Sequence, residues 1–261
     1  MSKKMWVAGL VAVGMMSASF AYAEGEGGDW RFTLSAKSWS EAWSGWNYVG
    51  DFRGATGRAA DPGTLINTSD RGSALITGAT VRYKDMFVNM NNSASTSYTF
   101  PTAYDGVSTT LGTTASRAEK DLNLGFYLSP QLALTLGTKT VELTYDPTSV
   151  WTHSFNTVGL SGSARIRESS FFMYENGALS ISGDTTVSFT ATNYTKGTPD
   201  YKSLEGGLGW AATKNLIFTA GYKFQDVQLP LTFVNPVLGS VLTINTRDTT
   251  EGFIFGVAVT F

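Results

Sequence analysis

Cysteine is absent from this 261-residue chain, histidine occurs once, at position 153, and charged residues make up only 15% of it. The first absence excludes disulfide frameworks and thiolate metal sites. The second leaves one candidate for imidazole catalysis. Past the first two dozen residues no apolar run is long enough for a membrane helix, so a bilayer crossing by this chain must use strands. No excess of basic residues exists either: once Lys3 and Lys4 are set aside the chain is mildly acidic, and nothing in it invites nucleic acid. Proline is scarce at 7 residues, whereas 28 Gly, 16 Phe, 11 Tyr and 7 Trp make the sequence rich in glycine and aromatics.

The start reads as an address. Lys3 and Lys4 precede an apolar run from Met5 to Met16, and Ala21-Tyr22-Ala23 has the small-x-small pattern of a signal-peptidase site, followed by the polar Glu24-Gly25-Glu26. Cleavage is expected after Ala23, which divides the chain into a signal peptide, 1–23, and one mature domain, 24–261.

The mature chain alternates with a period of two. In the last stretch Phe253, Phe255, Val257, Val259 and Phe261 share one face, while Gly252, Gly256, Ala258 and Thr260 share the other with Ile254. Trp30, Phe32, Leu34 and Ala36 alternate with Arg31, Thr33, Ser35 and Lys37, and a hairpin turns at Lys84-Asp85. Leu124-Gly125-Phe126, Leu132, Leu134 and Lys139 recur 84 positions on as Leu208-Gly209-Trp210, Leu216, Phe218 and Lys223, so two hairpins share one design. About ten strands are expected, near 30–38, 73–84, 86–98, 118–128, 131–143, 155–167, 178–193, 202–211, 215–226 and 249–261. Phe171 to Tyr174 reads as a connection or a further strand, which leaves counts of eight or twelve open. Ser38 to Gly72, Asn92 to Ser116 and most of Gln225 to Thr246 lose the alternation and read as long connections. In the first of them Trp39, Trp43 and Trp46 fall at helical spacing, which suggests a short amphipathic helix.

Tight turns on one side, long connections on the other, and a terminal Val257-Ala258-Val259-Thr260-Phe261 make the whole mature sequence resemble the bacterial outer-membrane β-barrel proteins, a porin-like class. The resemblance implies a closed antiparallel transmembrane β-barrel, location in the outer membrane, contact with its lipid, and recognition of Phe261 by the barrel-assembly machinery.

Within such a barrel the inward positions include Arg31, Lys37, Arg82, Lys139, Arg165, Arg167 and Lys223, with Glu205 and Asp184 among few acids, so the expected lumen is basic and favours anions. Inward glycines at 125, 137, 159, 207, 209 and 221 leave room. A narrow channel for small hydrophilic solutes follows, with a packed lumen as the alternative, since small barrels are filled by their own side chains. In that case the protein is a structural or surface-binding barrel acting through its loops, with Trp39, Trp43 and Trp46 as the binding candidates. Catalysis is not expected: His153, with Glu142 and Asp146 upstream, reads as a solvated loop residue. Asp61-Pro62-Gly63 and Asp105-Gly106 read as turns rather than calcium sites, and no cofactor is expected.

Overall fold

Alternating apolar and polar side chains produce strands almost everywhere in the computed structural model, which describes residues 29–49, 64–104, 109–146, 149–188, 194–195, 198–234 and 241–261. The leader and its expected cleavage point lie outside these residues. The strands are β1 (Trp30–Val49), β2 (Thr64–Thr68), β3 (Gly72–Tyr83), β4 (Met86–Tyr104), β5 (Thr109–Ser129), β6 (Leu132–Asp146), β7 (Ser149–Arg165), β8 (Phe171–Ser188), β9 (Tyr194–Thr195), β10 (Asp200–Ala211), β11 (Leu216–Val234) and β12 (Val241–Thr260). Ten of them form one antiparallel ring. β1 pairs with β3 on one side and β12 on the other, and β10 completes the circle between β8 and β11. The short β2 and β9 lie against β1 and β11.

The expected ten-stranded closed barrel is therefore the architecture, although most strands are longer than the sequence pattern suggested. β1 runs on through Trp39 and Trp43 instead of ending at Ser38, and no helix forms there. A four-residue spacing satisfies a period of two as well as a helical turn, and pairing with β3 and β12 selects the strand. Residues 92–104 and 109–116 likewise belong to β4 and β5, and 225–234 and 241–246 to β11 and β12. Phe171 to Tyr174 opens β8.

Closed rings leave no free edge, and in lipid every backbone group must find its partner inside the structure. The outer face agrees with that environment: Phe32, Leu34, Leu75, Met90, Leu124, Phe126, Leu136, Met173, Leu208, Phe218, Phe253 and Phe255 all stand exposed on it. Above this belt the same faces carry Ser38, Asn92, Lys120 and Thr138. A crossing needs only about 9–11 residues of strand, so strands of up to 21 residues continue beyond the belt. The tight turns at Lys84-Asp85, Pro130-Gln131, 166–170 and 212–215 gather at one end. Phe261 lies at that end too, exchanging backbone hydrogen bonds of 3.3 and 2.8 Å with Phe32.

Two β-bulges decide which side chains enter the barrel. The register slips between Ser93 and Thr96, so that below the slip Asn89, Asn91 and Ser93 point inward and above it Tyr98 and Phe100 do. A second slip, opposite Asn156 and Thr157, turns Thr185 inward and leaves Asp184 on the outer face, against the expected inward place.

The repeated glycines have a shared steric reason. Gly125 faces Phe87 across the β4–β5 pair and Gly209 faces Phe172 across the β8–β10 pair, and a Cβ on either glycine would overlap the ring laid over it. At these two positions the expected free space is filled by aromatics, and at Gly137 and Gly159 by Asn123 and Thr135. Gly209→Leu is predicted to cost about 1–3 kcal/mol by overpacking, read as a lower urea midpoint for the heat-modifiable folded band. Adding Phe172→Ala should recover part of that loss, and an unchanged midpoint in the single variant would contradict the packing described.

Candidate functional site

Inward positions form layers along the barrel axis. Nearest the short turns, Arg31 stands opposite Arg82 in the β1–β3 register, and Arg82 donates through Nε to the Lys84 carbonyl at 2.6 Å, with its guanidinium 4.3 Å from the Tyr127 ring centre. Arg165 is exposed at the end of β7 and donates to the Ser169 carbonyl at 2.9 Å. Arg167, expected to line the lumen, lies in the β7–β8 turn with φ of 53° and is exposed. β7 ends two residues before it, so the alternation that pointed it inward no longer applies.

Higher up, the charges meet. Lys37 of β1 donates to Glu205 of β10 at 2.5 Å, and Lys223 of β11 lies 4.2 Å from the Trp39 ring centre. A small cavity of about 20 Å³ is lined by Lys37, Ile76, Asn91, Asp121, Glu205 and Lys223, among others. That is space for about one water molecule.

The next layer crosses the whole lumen. Arg117 on β5 donates through Nε to Glu119 at 2.7 Å and through Nη2 to the Gln225 side-chain oxygen on β11 at 2.8 Å. β5 and β11 are five places apart in the ring of ten, so this bond spans a diameter. Gln225 also donates to Glu119 at 3.0 Å and to the Tyr201 hydroxyl at 3.2 Å, while Lys139 donates to Glu119 at 2.7 Å and Asp121 at 2.8 Å. Nearby the Tyr98 hydroxyl donates to the Glu41 carboxylate in a very short hydrogen bond. Buried charges persist only when paired and hydrogen-bonded, and this network meets that condition for Glu119 and Lys139.

Beside and beyond the network an apolar layer packs against it: Trp43, Tyr98, Phe100, Val141, Phe155 and Tyr201, joined by Leu143 and Val227. Trp43 packs edge-on against Tyr98 and Phe100, with ring centres 5.6 and 5.3 Å apart, and its indole donates to Asp248 at 3.2 Å. Trp39 and Trp43, expected in a loop, are each 1% exposed inside the barrel. The Trp46 backbone pairs with Arg247 and Leu65, while its side chain lies outside the described residues.

His153 is not a solvated loop residue. It points inward from β7, 1% exposed, with Nδ1 2.9 Å from the Thr185 hydroxyl and its ring between Trp151 and Phe155. Glu142 faces outward, away from the imidazole, and the Asp146 side chain lies outside the described residues.

The sequence reading named Lys37, Lys139, Glu205 and Lys223 as pore-lining, and the structure buries all four on the inner face. That reading passed over Arg117, Glu119, Asp121 and Gln225. Extending the alternation of Asn123 and Gly125 backward along β5 would have found the first three, because they share its odd parity.

No family model matches the sequence, and no curated protein matches it. Among solved structures, the chain is similar to the outer membrane protease OmpT from Escherichia coli, with a TM-score of 0.50 and 13% identity, covering 89% of this chain and 96% of that one. It is also similar to the outer membrane protein OprG from Pseudomonas aeruginosa, with a TM-score of 0.42 and 14% identity, covering 90% and 96%. Closed ring, apolar belt and clustered short turns define the class: this chain has the closed transmembrane β-barrel fold of outer-membrane proteins.

Proposed function

We propose that this barrel does not conduct and serves as a rigid, membrane-anchored structural or surface-binding protein, acting through the part of its strands and loops that extends beyond the lipid belt. The single observation that carries the proposal is the bond from Arg117 to Gln225 across a diameter of the lumen, sealed by the layer around Trp43 and Tyr98. A solute path needs continuous wet space, and the cavity beside Lys37 and Lys223 has room for about one water. The opposite reading, a narrow porin-like channel selective for anions, rests on the inward Lys37, Lys139 and Lys223, and each of these has an acidic or aromatic neighbour in the lumen. Binding at the outer end, lipid as the surrounding partner, and assembly through the exposed Phe261 belong to the same proposal. A catalytic role is not part of it, since His153 is held among aromatics and Thr185.

Planar-bilayer recording of the refolded mature protein tests this directly. Insertion without conductance steps is expected; discrete steps whose reversal potential shifts on Lys223→Glu would replace the proposal with the channel.

A further inference from the structure

Two polar groups on opposite walls of the lumen line the same small cavity, and each has hydrogen-bonding capacity left over. Lys223 of β11 and Glu205 of β10 are register partners, but the Glu205 carboxylate accepts from Lys37 at 2.5 Å. Lys223 lies instead 4.2 Å from the Trp39 ring centre, and among the described residues no carboxylate comes within ion-pair distance of its ammonium. Opposite, on β4, the Asn91 amide nitrogen donates to the Asn89 side-chain oxygen at 2.7 Å. The Asn91 oxygen, which a Cβ on Gly78 would overlap, is buried and has no hydrogen-bond partner among the described residues. Asn91 is also the register partner of Asp121 on β5, whose carboxylate accepts from Lys139 at 2.8 Å. Lys223, Asn91 and Asp121 all line the 20 Å³ cavity.

A buried donor or acceptor left unpaired is costly, more so when it is charged. The cavity decides what can satisfy both groups. Its lining holds the ammoniums of Lys37 and Lys223 and the carboxylates of Glu119, Asp121 and Glu205. A bare cation placed there would meet Lys223, and an anion would meet three carboxylates. A neutral molecule that both donates and accepts suits the two signs at once. The size selects water, since one buried water takes roughly 10–15 Å³ of cavity and needs two to four polar partners.

We propose that this cavity is a binding site for one structural water, which accepts from Lys223 Nζ and donates to Asn91 Oδ1, with its second hydrogen directed to the Asp121 carboxylate. A bridging water is nearly as good as a direct hydrogen bond. β11 and β4 stand four places apart in the ring of ten, so the water braces the barrel across its lumen, two residues along β11 from the Arg117–Gln225 bridge. Through Asp121 it joins Lys223 to the network of Lys139, Glu119 and Arg117, which gives that ammonium a hydrogen-bonded route to counter-charge. The assignment rests on the packed-lumen reading, since in an open channel the same groups would meet bulk water.

A crystal structure of the wild-type mature protein, at a resolution that shows ordered water, tests this. Expected is a single water within hydrogen-bond distance of both Lys223 Nζ and Asn91 Oδ1. Lys223 bonded directly to Glu205 or Asp121, with no water in the cavity, would overturn the assignment and leave the packed lumen standing. An unbroken file of waters along the barrel axis would overturn both. Urea midpoints of the heat-modifiable folded band for Lys223→Met, Asn91→Leu and the double variant give a second, independent measurement. Either substitution disconnects the same water, so the double variant should lose less than the sum of the two single losses, whereas distant sites with no shared partner add. Strictly additive losses would overturn the brace.

Discussion

Replacing Glu119 by alanine is expected to destabilise the folded barrel by about 3–5 kcal/mol, the cost of breaking a buried ion pair from one side. Glu119 accepts from Arg117, Lys139 and Gln225, and all four residues are buried. Removing the one carboxylate leaves a guanidinium without its nearest counter-charge, and Lys139 paired with Asp121. Glu119→Gln keeps the shape and one acceptor oxygen but not the charge, so its loss should fall between wild type and alanine. The check is a urea titration of the heat-modifiable folded band in lipid. If Glu119→Ala melts with wild type, the bonds across the lumen are not holding the barrel together. Lys84→Ala provides the contrast: its pair with Asp29 at 3.5 Å is more than half exposed on both sides, and an exposed pair is worth about 0–1 kcal/mol.

The second large effect concerns permeability. Trp43→Ala combined with Tyr98→Ala should convert a silent barrel into a conducting one. Both rings are 1% exposed and meet edge to face in the layer above the charge network. Aromatic side chains bury roughly 150–250 Å² each, and removing two neighbouring rings leaves space that water can enter. Each truncation costs about 3–5 kcal/mol of packing, so folding must be verified before recording. Steps in the double variant, absent from wild type, would locate the seal in this layer. Continued silence would mean that the Arg117–Glu119–Gln225 bridge below suffices by itself, and adding Gln225→Ala would then be the informative variant. Steps already present in wild type would remove the premise.

Much of this molecule was legible from alternation alone. Phe253, Phe255 and Val257 against Gly252, Ile254 and Gly256 require one face for lipid and one for the lumen, and the same period in the other strands brings the count to about ten. A charge such as Lys37 or Lys139 within an alternating strand has only one side on which it avoids lipid. What the pattern could not reveal was how far each strand continues. Beyond the lipid belt the outer face turns polar, as at Ser38, Asn92 and Lys120, so the contrast between faces that marks a strand in sequence disappears while the backbone pairing persists. Trp39 and Trp43 were misplaced for this reason.

Sequence by itself therefore determined the class and the inward side of most strands, and brought their count to about ten with eight or twelve still open, because a period of two and the need to satisfy backbone groups in lipid require a closed sheet. Only tertiary structure decided what the lumen contains. Whether inward Lys139 lines a channel or is tied to Glu119 and Asp121 depends on which strands lie opposite each other in the closed ring, and on the bulges that turn Tyr98 and Phe100 inward. Those are contacts between residues far apart in the chain, and the local alternation that predicts a strand carries no record of them.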